Sequence, residues 1–173
     1  MRGVPEGVTP GGLFQGLTSR LPGNATVTAD AGPTADGSGH HSRLRRGMMG
    51  DLSGRLATML ASMPYAVAAK FAYPDRPVIC TIGDGAFQML GMNELITVKK
   101  YMKQWSNTQF IVLVLHNDDL NQVSWEMRTE DANPVWETSQ EIQSVDYAGW
   151  AELLGFSGIR VKHDSDVEAA WHA

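Results

Sequence analysis

The apolar residues of this chain follow two patterns, one typical of buried strands and one typical of helices. Two short apolar runs are continuous, at 78–82 and 110–115, and a third segment, 25–29, is short and rich in β-branched residues. Continuous runs of this length favour strands that are covered on both faces of a sheet. A fourth, shorter run at 159–161 is also predicted to be a strand.

Elsewhere the apolar positions recur at helical spacing. Helices are predicted at 12–21, 56–73, 89–105 and 145–154, and a last helix begins at Ser165. The Gly- and Pro-rich segment 1–11 is predicted to be a tail or linker. The polar, Gly-rich segment 37–54 has no clear period and is predicted to be an ordered loop.

Two apolar strands that flank a helix indicate a βαβ unit, and therefore a parallel sheet. The expected fold class is α/β, with an open parallel sheet flanked by helices on both faces. Residues 12–173 form one domain in this interpretation. Because the sequence stops inside its last predicted helix, the sheet is expected to lack its last strand and the domain to be truncated.

Composition narrows the function classes. The chain has 173 residues, of which 43% are hydrophobic and 19% charged, so it can bury a core. The formal net charge of -5 argues against nucleic-acid binding. The single cysteine, Cys80, excludes a disulfide framework and a multi-cysteine zinc site. No apolar run approaches the roughly 20 residues of a membrane span, and the expected location is cytoplasmic.

Candidate chemistry lies after two predicted strands. Gly83-Asp84-Gly85 follows the strand at 78–82, and Asn117 follows the strand at 110–115. The carboxyl ends of parallel strands meet at one edge of a sheet, where ligands bind. Glycines let the backbone approach a phosphate, and carboxylate and amide oxygens suit Mg²⁺. A plain Asp-Gly turn remains the alternative for this motif taken alone.

Longer stretches resemble a known family. GDGAFQMLGMNEL, VLHNDDLNQVSWEMR and GFSGIRVKHDSDVEAAW are similar to the carboxyl-terminal cofactor domain of enzymes that use thiamine diphosphate. The similarity is closest to the pyruvate oxidase and quinone-dependent pyruvate dehydrogenase branch, with acetolactate synthase further off. It runs from about Thr28 to the end of the chain.

The resemblance implies a set of site residues. Asp84 and Asn117 would bind Mg²⁺ through their side chains, and Asp119 through its backbone carbonyl. Met59 would prop the cofactor in the bent shape that brings its two rings together. The remaining residues implied to contact or border the cofactor are Gly32, Pro33, Thr34, Gly83, Gly85, Ala86, Phe87, Leu120, Asn121 and Gln122.

Three departures from the family pattern bear on this site. The family's paired asparagines are His116-Asn117 here, and His116 is interpreted as a packing or hydrogen-bonding residue at the strand end. Leu60 replaces a small residue and is expected to crowd the thiazolium. Gly37-Ser38-Gly39 stands where relatives carry aromatic residues, so loose packing is expected beside the diphosphate loop.

The implied function is the diphosphate-holding half of an enzyme that decarboxylates or oxidises a 2-oxo acid, pyruvate in this interpretation. The activating glutamate would come from a pyrimidine-binding domain of a partner chain or a missing segment, so no catalytic residue is assigned here. An oligomer is expected, and FAD would belong only to the intact enzyme. Three alternatives stay open: a catalytically silent cofactor-binding fragment, an acetolactate-synthase-like transferase component, and a general Mg²⁺-nucleotide binder.

Overall fold

The fold is built on a parallel sheet of four strands in the order β2-β1-β3-β4. The computed structural model describes residues 7–130, 132, 134 and 136–173. In chain order the strands are β1 (Thr26–Ala29), β2 (Met49–Leu52), β3 (Val78–Gly83) and β4 (Phe110–Leu115). The sheet therefore places the carboxyl ends of β1, β3 and β4 next to one another.

Helices connect and cover these strands. Their bounds are α1 (Pro10–Arg20), α2 (Pro33–His41), α3 (Ser62–Ala72), α4 (Asp84–Ala86), α5 (Met92–Tyr101), α6 (Asn121–Glu130), α7 (Glu137–Gln140), α8 (Tyr147–Leu153) and α9 (Asp164–Ala170). A π-helical turn, Phe87–Gly91, joins α4 to α5, and a 3₁₀ turn, Met102–Gln104, follows α5. Among the described residues, no helix combines the length and apolar character that a membrane crossing requires.

Two apolar clusters cover the two faces of the sheet, which confirms the predicted α/β architecture. Side chains alternate along β3, so Val78, Cys80 and Ile82 join one cluster. Ile79 points to the other face, where it packs with residues of α1 such as Phe14. Burial raises the pKa of the Cys80 thiol to about 12, as expected for an inert cysteine within a strand.

The predicted loop at 37–54 is wrong. Helix α2 extends to His41, and β2 occupies residues 49–52. The helix escaped prediction because it buries only Thr34 and Gly37, which gives no apolar period. The strand escaped because it lies at the sheet edge with all of its residues exposed, and so it lacks the apolar run of a buried strand.

Three other segments differ from the prediction, two at a helix start and one in the absence of a strand. The helix predicted at 56–73 begins only at Ser62, because Ala57 and Leu60 take left-handed backbone angles, with φ of 47° and 78°. The run at 159–161 forms no strand, and in the described structure it pairs with no other segment. Helix α1 begins at Pro10, capped by Thr9 within the predicted tail, whose residues 1–6 lie outside the described part.

The packing around Gly37 is close, whereas loose packing was expected there. The ring of Phe14, which is fully buried, occupies the space where a Cβ of Gly37 would stand. Gly39 lies two residues further along the same helix, and a Cβ there would face open space. The expectation of loose packing is therefore wrong at Gly37, because α1 supplies the aromatic ring that fills the gap.

This contact predicts opposite effects for two matched substitutions. Gly37→Ala should lower the free energy of unfolding by about 1–3 kcal/mol, because its methyl group overlaps the Phe14 ring. Gly39→Ala should raise that free energy by up to about 1 kcal/mol, since alanine favours the helix and meets nothing. Urea unfolding of both variants tests the contact, and equal stability for the pair would contradict it.

Candidate functional site

Asp84 is the central residue of the site. It lies at the end of β3, is only 2% exposed, and begins α4. Its Oδ1 accepts a hydrogen bond from the Gly85 N–H at 2.9 Å. Its Oδ2 accepts the N–H groups of Asn117 at 2.8 Å and Asp118 at 2.6 Å. One carboxylate therefore ties the end of β3 to the loop that follows β4.

The loop after β4 carries a second acidic group that the sequence analysis did not assign. Asp118 has a left-handed φ of 57°, a conformation that aspartate tolerates better than most residues. Its Oδ1 lies 2.6 Å from Nε2 of His116. Asp84, His116 and Asp118 each offer a possible ligand atom, all within 4.8 Å of one another. The consecutive Asp118-Asp119 pair was the only signal for this cluster in the sequence.

His116 makes both packing and polar contacts at the end of β4. Its ring meets the Tyr147 ring edge to face, with centroids 4.8 Å apart, and Nε2 also lies 3.2 Å from the Ser144 hydroxyl. Burial raises the pKa of the Tyr147 phenol, and the nearby carboxylates of Asp84 and Asp118 act in the same direction. His116 departs from the family pattern, yet through its contact with Asp118 it anchors the loop that bears Asn117.

Asn117 and Asp119 lie in the same loop, and their side-chain oxygens accept hydrogen bonds from different groups. The Asn117 Oδ1 accepts the Asp119 N–H at 3.2 Å, and the Asp119 carboxylate accepts the Ser124 hydroxyl at 2.9 Å. Asp119 also faces Glu141 across an isolated bridge, whose hydrogen bonds belong to the flanking residues. The hydrogen bonds of this bridge therefore do not use the Asp119 carbonyl.

The diphosphate loop predicted after β1 forms the start of α2. Gly32 takes a φ of 73° at the N-cap and provides no side chain to cap the helix, and Pro33 occupies the first turn. A Cβ on Gly32 would lie 3.4 Å from the Gln122 Cβ, so this loop adjoins α6. Pro33 has no N–H, and the Ala35 and Asp36 N–H groups donate to the Gly32 carbonyl. Among the described hydrogen bonds, the Thr34 N–H at this helix start is left without a partner, and such an amide favours anions.

The Met59 side chain also approaches the Gly83-Gly85 turn. Its Cε lies 3.7 Å from the point where a Cβ of Gly85 would stand, and a Leu120 methyl lies 2.7 Å from that point. Glycine at 85 therefore permits the close approach of both apolar side chains. Leu60, expected to crowd the cofactor, is not among the residues that line the cleft.

These residues border one cleft of about 1750 Å³. The cleft also continues along the outer edge of β4 to the segment 156–162, so the site occupies only part of its volume. Every residue assigned to the site from the sequence lines it: Gly32, Pro33, Thr34, Met59, Gly83, Asp84, Gly85, Ala86, Phe87, Asn117, Asp119, Leu120, Asn121 and Gln122.

Asp84 should stabilise the protein even without a metal ion. Asp84→Ala leaves the N–H groups of Asn117 and Asp118 without their acceptor, so the free energy of unfolding should fall by about 1–3 kcal/mol. Asp51→Ala, a control on the exposed strand β2, should change it by less than about 0.5 kcal/mol. Urea unfolding in the presence of a chelator measures both, and equal loss in the two variants would contradict this role.

Comparison with known proteins identifies similar sequences. YdaP of Bacillus subtilis strain 168, named "Putative thiamine pyrophosphate-containing protein", is 31% identical over 86% of this chain and 24% of its own length. The large subunit of acetolactate synthase isozyme 3 from Escherichia coli K12 is 27% identical over 95% of this chain and 27% of its own. The chain thus spans about a quarter of the length of these relatives.

A solved structure shares the fold. The thiamine diphosphate-dependent 4-hydroxybenzoylformate decarboxylase of Rhodococcus jostii RHA1 superposes with a TM-score of 0.79 at 21% identity, over 98% of this chain and 31% of that one. Residues 33–173 match the family described as thiamine pyrophosphate enzyme, C-terminal TPP binding domain. The chain therefore belongs to the family of C-terminal cofactor-binding domains of thiamine pyrophosphate enzymes.

Proposed function

We propose that this chain binds thiamine diphosphate through Mg²⁺, as the diphosphate-holding half of an enzyme that decarboxylates or oxidises a 2-oxo acid, pyruvate in the first instance. The observation that carries the proposal is the buried Asp84 carboxylate, which lies at a strand end beside Asn117. The family relationship supports the cofactor, and the residues around Asp84 support the metal.

The donor set fits a magnesium ion. Asp84 offers a carboxylate oxygen, Asn117 an amide oxygen and Asp119 a carbonyl oxygen, and Mg²⁺ prefers such hard oxygen ligands together with phosphate oxygens and water. Three backbone N–H groups hold the Asp84 carboxylate in place. The Asn117 Oδ1 accepts one hydrogen bond, from the Asp119 N–H, and its second lone pair can bind the ion.

The two ends of the cofactor would meet different parts of the cleft. The Thr34 N–H at the start of α2 suits the diphosphate, and the glycines of the Gly83-Gly85 turn let the backbone come close to it. Met59, which lies beside Gly85, suits the apolar face of the rings. When bound, thiamine diphosphate supplies the nucleophilic carbon and the electron sink for loss of CO₂ from a 2-oxo acid. The residues of this chain bind and orient it.

The rest of the active site would come from elsewhere. We place the activating glutamate on a pyrimidine-binding domain, in a partner chain or in another part of a longer polypeptide, and we expect the assembly to be oligomeric. The chain covers about a quarter of the length of its relatives, which leaves room for such a domain in proteins of their size. FAD, where present, would belong to that larger enzyme.

An acetolactate-synthase-like transferase is the second candidate. It is favoured by the match to acetolactate synthase large subunits, including isozymes 2 and 3 of Escherichia coli K12. The pyruvate oxidase branch rests instead on the sequence resemblance. Product analysis of the holoenzyme with pyruvate distinguishes them: the transferase forms 2-acetolactate, whereas the oxidase forms an oxidised two-carbon product only when an electron acceptor is supplied.

Calorimetric titration tests cofactor binding by the chain. Thiamine diphosphate should bind in the presence of Mg²⁺ and at least about tenfold more weakly in its absence. Asp84→Asn should weaken the Mg²⁺-dependent binding at least about tenfold, because it removes the charge at the metal while keeping the side chain's size. Asp51→Asn, an exposed aspartate outside the cleft, should bind as the wild type does.

Two results would overturn the proposal. Equal affinity for thiamine diphosphate with and without Mg²⁺ would contradict a role for the metal. Tighter binding of ATP than of thiamine diphosphate would favour a general nucleotide site. Because Asp84 also supports the fold, the titrations are run at a temperature where urea unfolding shows each variant to be folded.

A further inference from the structure

A second buried carboxylate lies directly after the neighbouring strand β1 and has no assigned role. Asp30 follows β1 directly and is 1% exposed. Its Oδ1 accepts the Ala31 N–H at 3.0 Å and the Leu60 N–H at 2.9 Å. Its Oδ2 accepts the Ser62 N–H at 3.1 Å. Burying a carboxylate is costly unless such donors surround it, so the three hydrogen bonds define where it can lie.

Two of these donors belong to a segment that does not favour its own conformation. Ala57 and Leu60 both have left-handed backbone angles, which cost non-glycine residues about 1 kcal/mol or more each. Such a conformation persists only where surrounding contacts impose it. The Asp30 carboxylate supplies two of those contacts, one on each side of Ala61.

A small polar cluster completes the attachment at Ser62. The Thr28 hydroxyl donates to the Ser62 carbonyl at 2.9 Å, and the Ser62 hydroxyl lies 3.1 Å from the Cys80 sulfur. These contacts fix the start of α3 against β1 and β3. They do not reach Leu60 or Met59. Upstream of Ser62 the Asp30–Leu60 hydrogen bond acts together with the Ala57 and Thr58 N–H groups, which donate to Ser53, and with the apolar packing of Met59.

The position of this segment determines where Met59 lies. Met59 immediately precedes Leu60, and its Cε approaches Gly85 in the turn that carries Asp84. The Asp30 Oδ1 that accepts the Leu60 N–H also accepts the Ala31 N–H, one residue before Gly32 and the start of α2. A single side chain thus contacts the backbone both of the Met59 segment and of the loop that leads into α2.

We propose that Asp30 is a positioning residue, which sets Met59 and the Gly32 loop at the spacing that the cofactor's rings and diphosphate require. This inference rests on the proposed function, since it concerns the same cleft. Asp30 does not contact the reacting atoms in this arrangement. It acts through the backbone of Ala31 and Leu60.

Amide hydrogen exchange tests the conformational part without any ligand. In Asp30→Ala the Leu60 and Ser62 amides should exchange at least about tenfold faster than in the wild type, because they lose their acceptor. Amides in the middle of β3 should keep their protection. Asp51→Ala is the control and should change neither set. Unchanged protection at Leu60 and Ser62 would overturn the inference.

A double-mutant cycle on binding tests the functional part. Asp30→Ala and Met59→Ala should each weaken thiamine diphosphate binding, and the double variant should be little weaker than the poorer single variant. Inorganic pyrophosphate with Mg²⁺ lacks the rings, so Asp30→Ala should weaken its binding less than that of thiamine diphosphate. A general loss of structure would instead lower both affinities equally and give additive effects.

The outcomes separate this inference from the proposed function. If the wild-type chain binds no thiamine diphosphate, the proposed function fails, and the exchange rates still decide whether Asp30 sets the Met59 segment. If the wild type binds but the two substitutions act additively, the positioning role is wrong while the cofactor site stands. Should Asp30→Ala not fold, Asp30→Asn replaces it, with smaller effects expected because its amide oxygen accepts part of the same set.

Discussion

The arrangement of this site depends on one buried carboxylate that accepts backbone amides from two chain segments. Asp84 is almost fully buried, and its oxygens bind N–H groups from its own turn and from the loop after β4. A buried charge without such donors would be strongly unfavourable. The requirement to surround this carboxylate therefore fixes the relation between two loops that are more than thirty residues apart in sequence.

The strand order extends the same principle to a third loop. Because β1 lies beside β3, the residues after β1 reach the cleft next to the Gly83-Gly85 turn. Asp30 occupies the position after β1 that Asp84 occupies after β3, and it too is buried among backbone N–H groups. After both strands, a buried carboxylate accepts hydrogen bonds from the N–H groups of neighbouring loops and so fixes the positions of those loops.

Glycine supports these loops in two distinct ways. Gly32 supplies a left-handed backbone at the start of α2. Gly85 lacks the Cβ that would collide with Leu120, and so lets apolar side chains close over the turn. The glycine content of the sequence is thus explained in part by this cleft, and in part by packing elsewhere, as at Gly37 under Phe14.

The sequence predicted the parts of the fold that carry strong apolar patterns. The runs at 78–82 and 110–115 are continuously apolar, so the βαβ unit and the two strand ends could be placed without a structure. Burial on both faces, which such runs favour, holds for β3 but not for β4, whose residues are only partly buried or exposed. Helix α2 and strand β2 could not, because one buries few side chains and the other lies exposed at an edge. The left-handed residues Ala57 and Leu60 also escaped, since tertiary contacts impose them against local preference.

The site was predictable to a similar degree and for similar reasons. Gly83-Asp84-Gly85 and Asn117 follow strong strands, and the structure brings them together in one cleft. The position of Asp118, whose N–H donates to the Asp84 carboxylate, and the contacts of Asp30 with Leu60 and Ser62 depend on hydrogen bonds between distant segments. Such contacts leave no periodic trace in a sequence. The run at 159–161 shows the converse, since an apolar pattern there did not produce a strand.

Paramagnetic NMR with Mn²⁺ in place of Mg²⁺ tests the central claim most directly, since both ions prefer octahedral oxygen ligands. With thiamine diphosphate present, Mn²⁺ should broaden the amide signals of Gly85, Asn117 and Asp118 first, and it should do so far less without the cofactor. Signals of Asp51 on β2 should persist. Broadening centred on His40 and His41, or broadening at Asp84 that is independent of thiamine diphosphate, would contradict a shared metal–diphosphate site at the two strand ends.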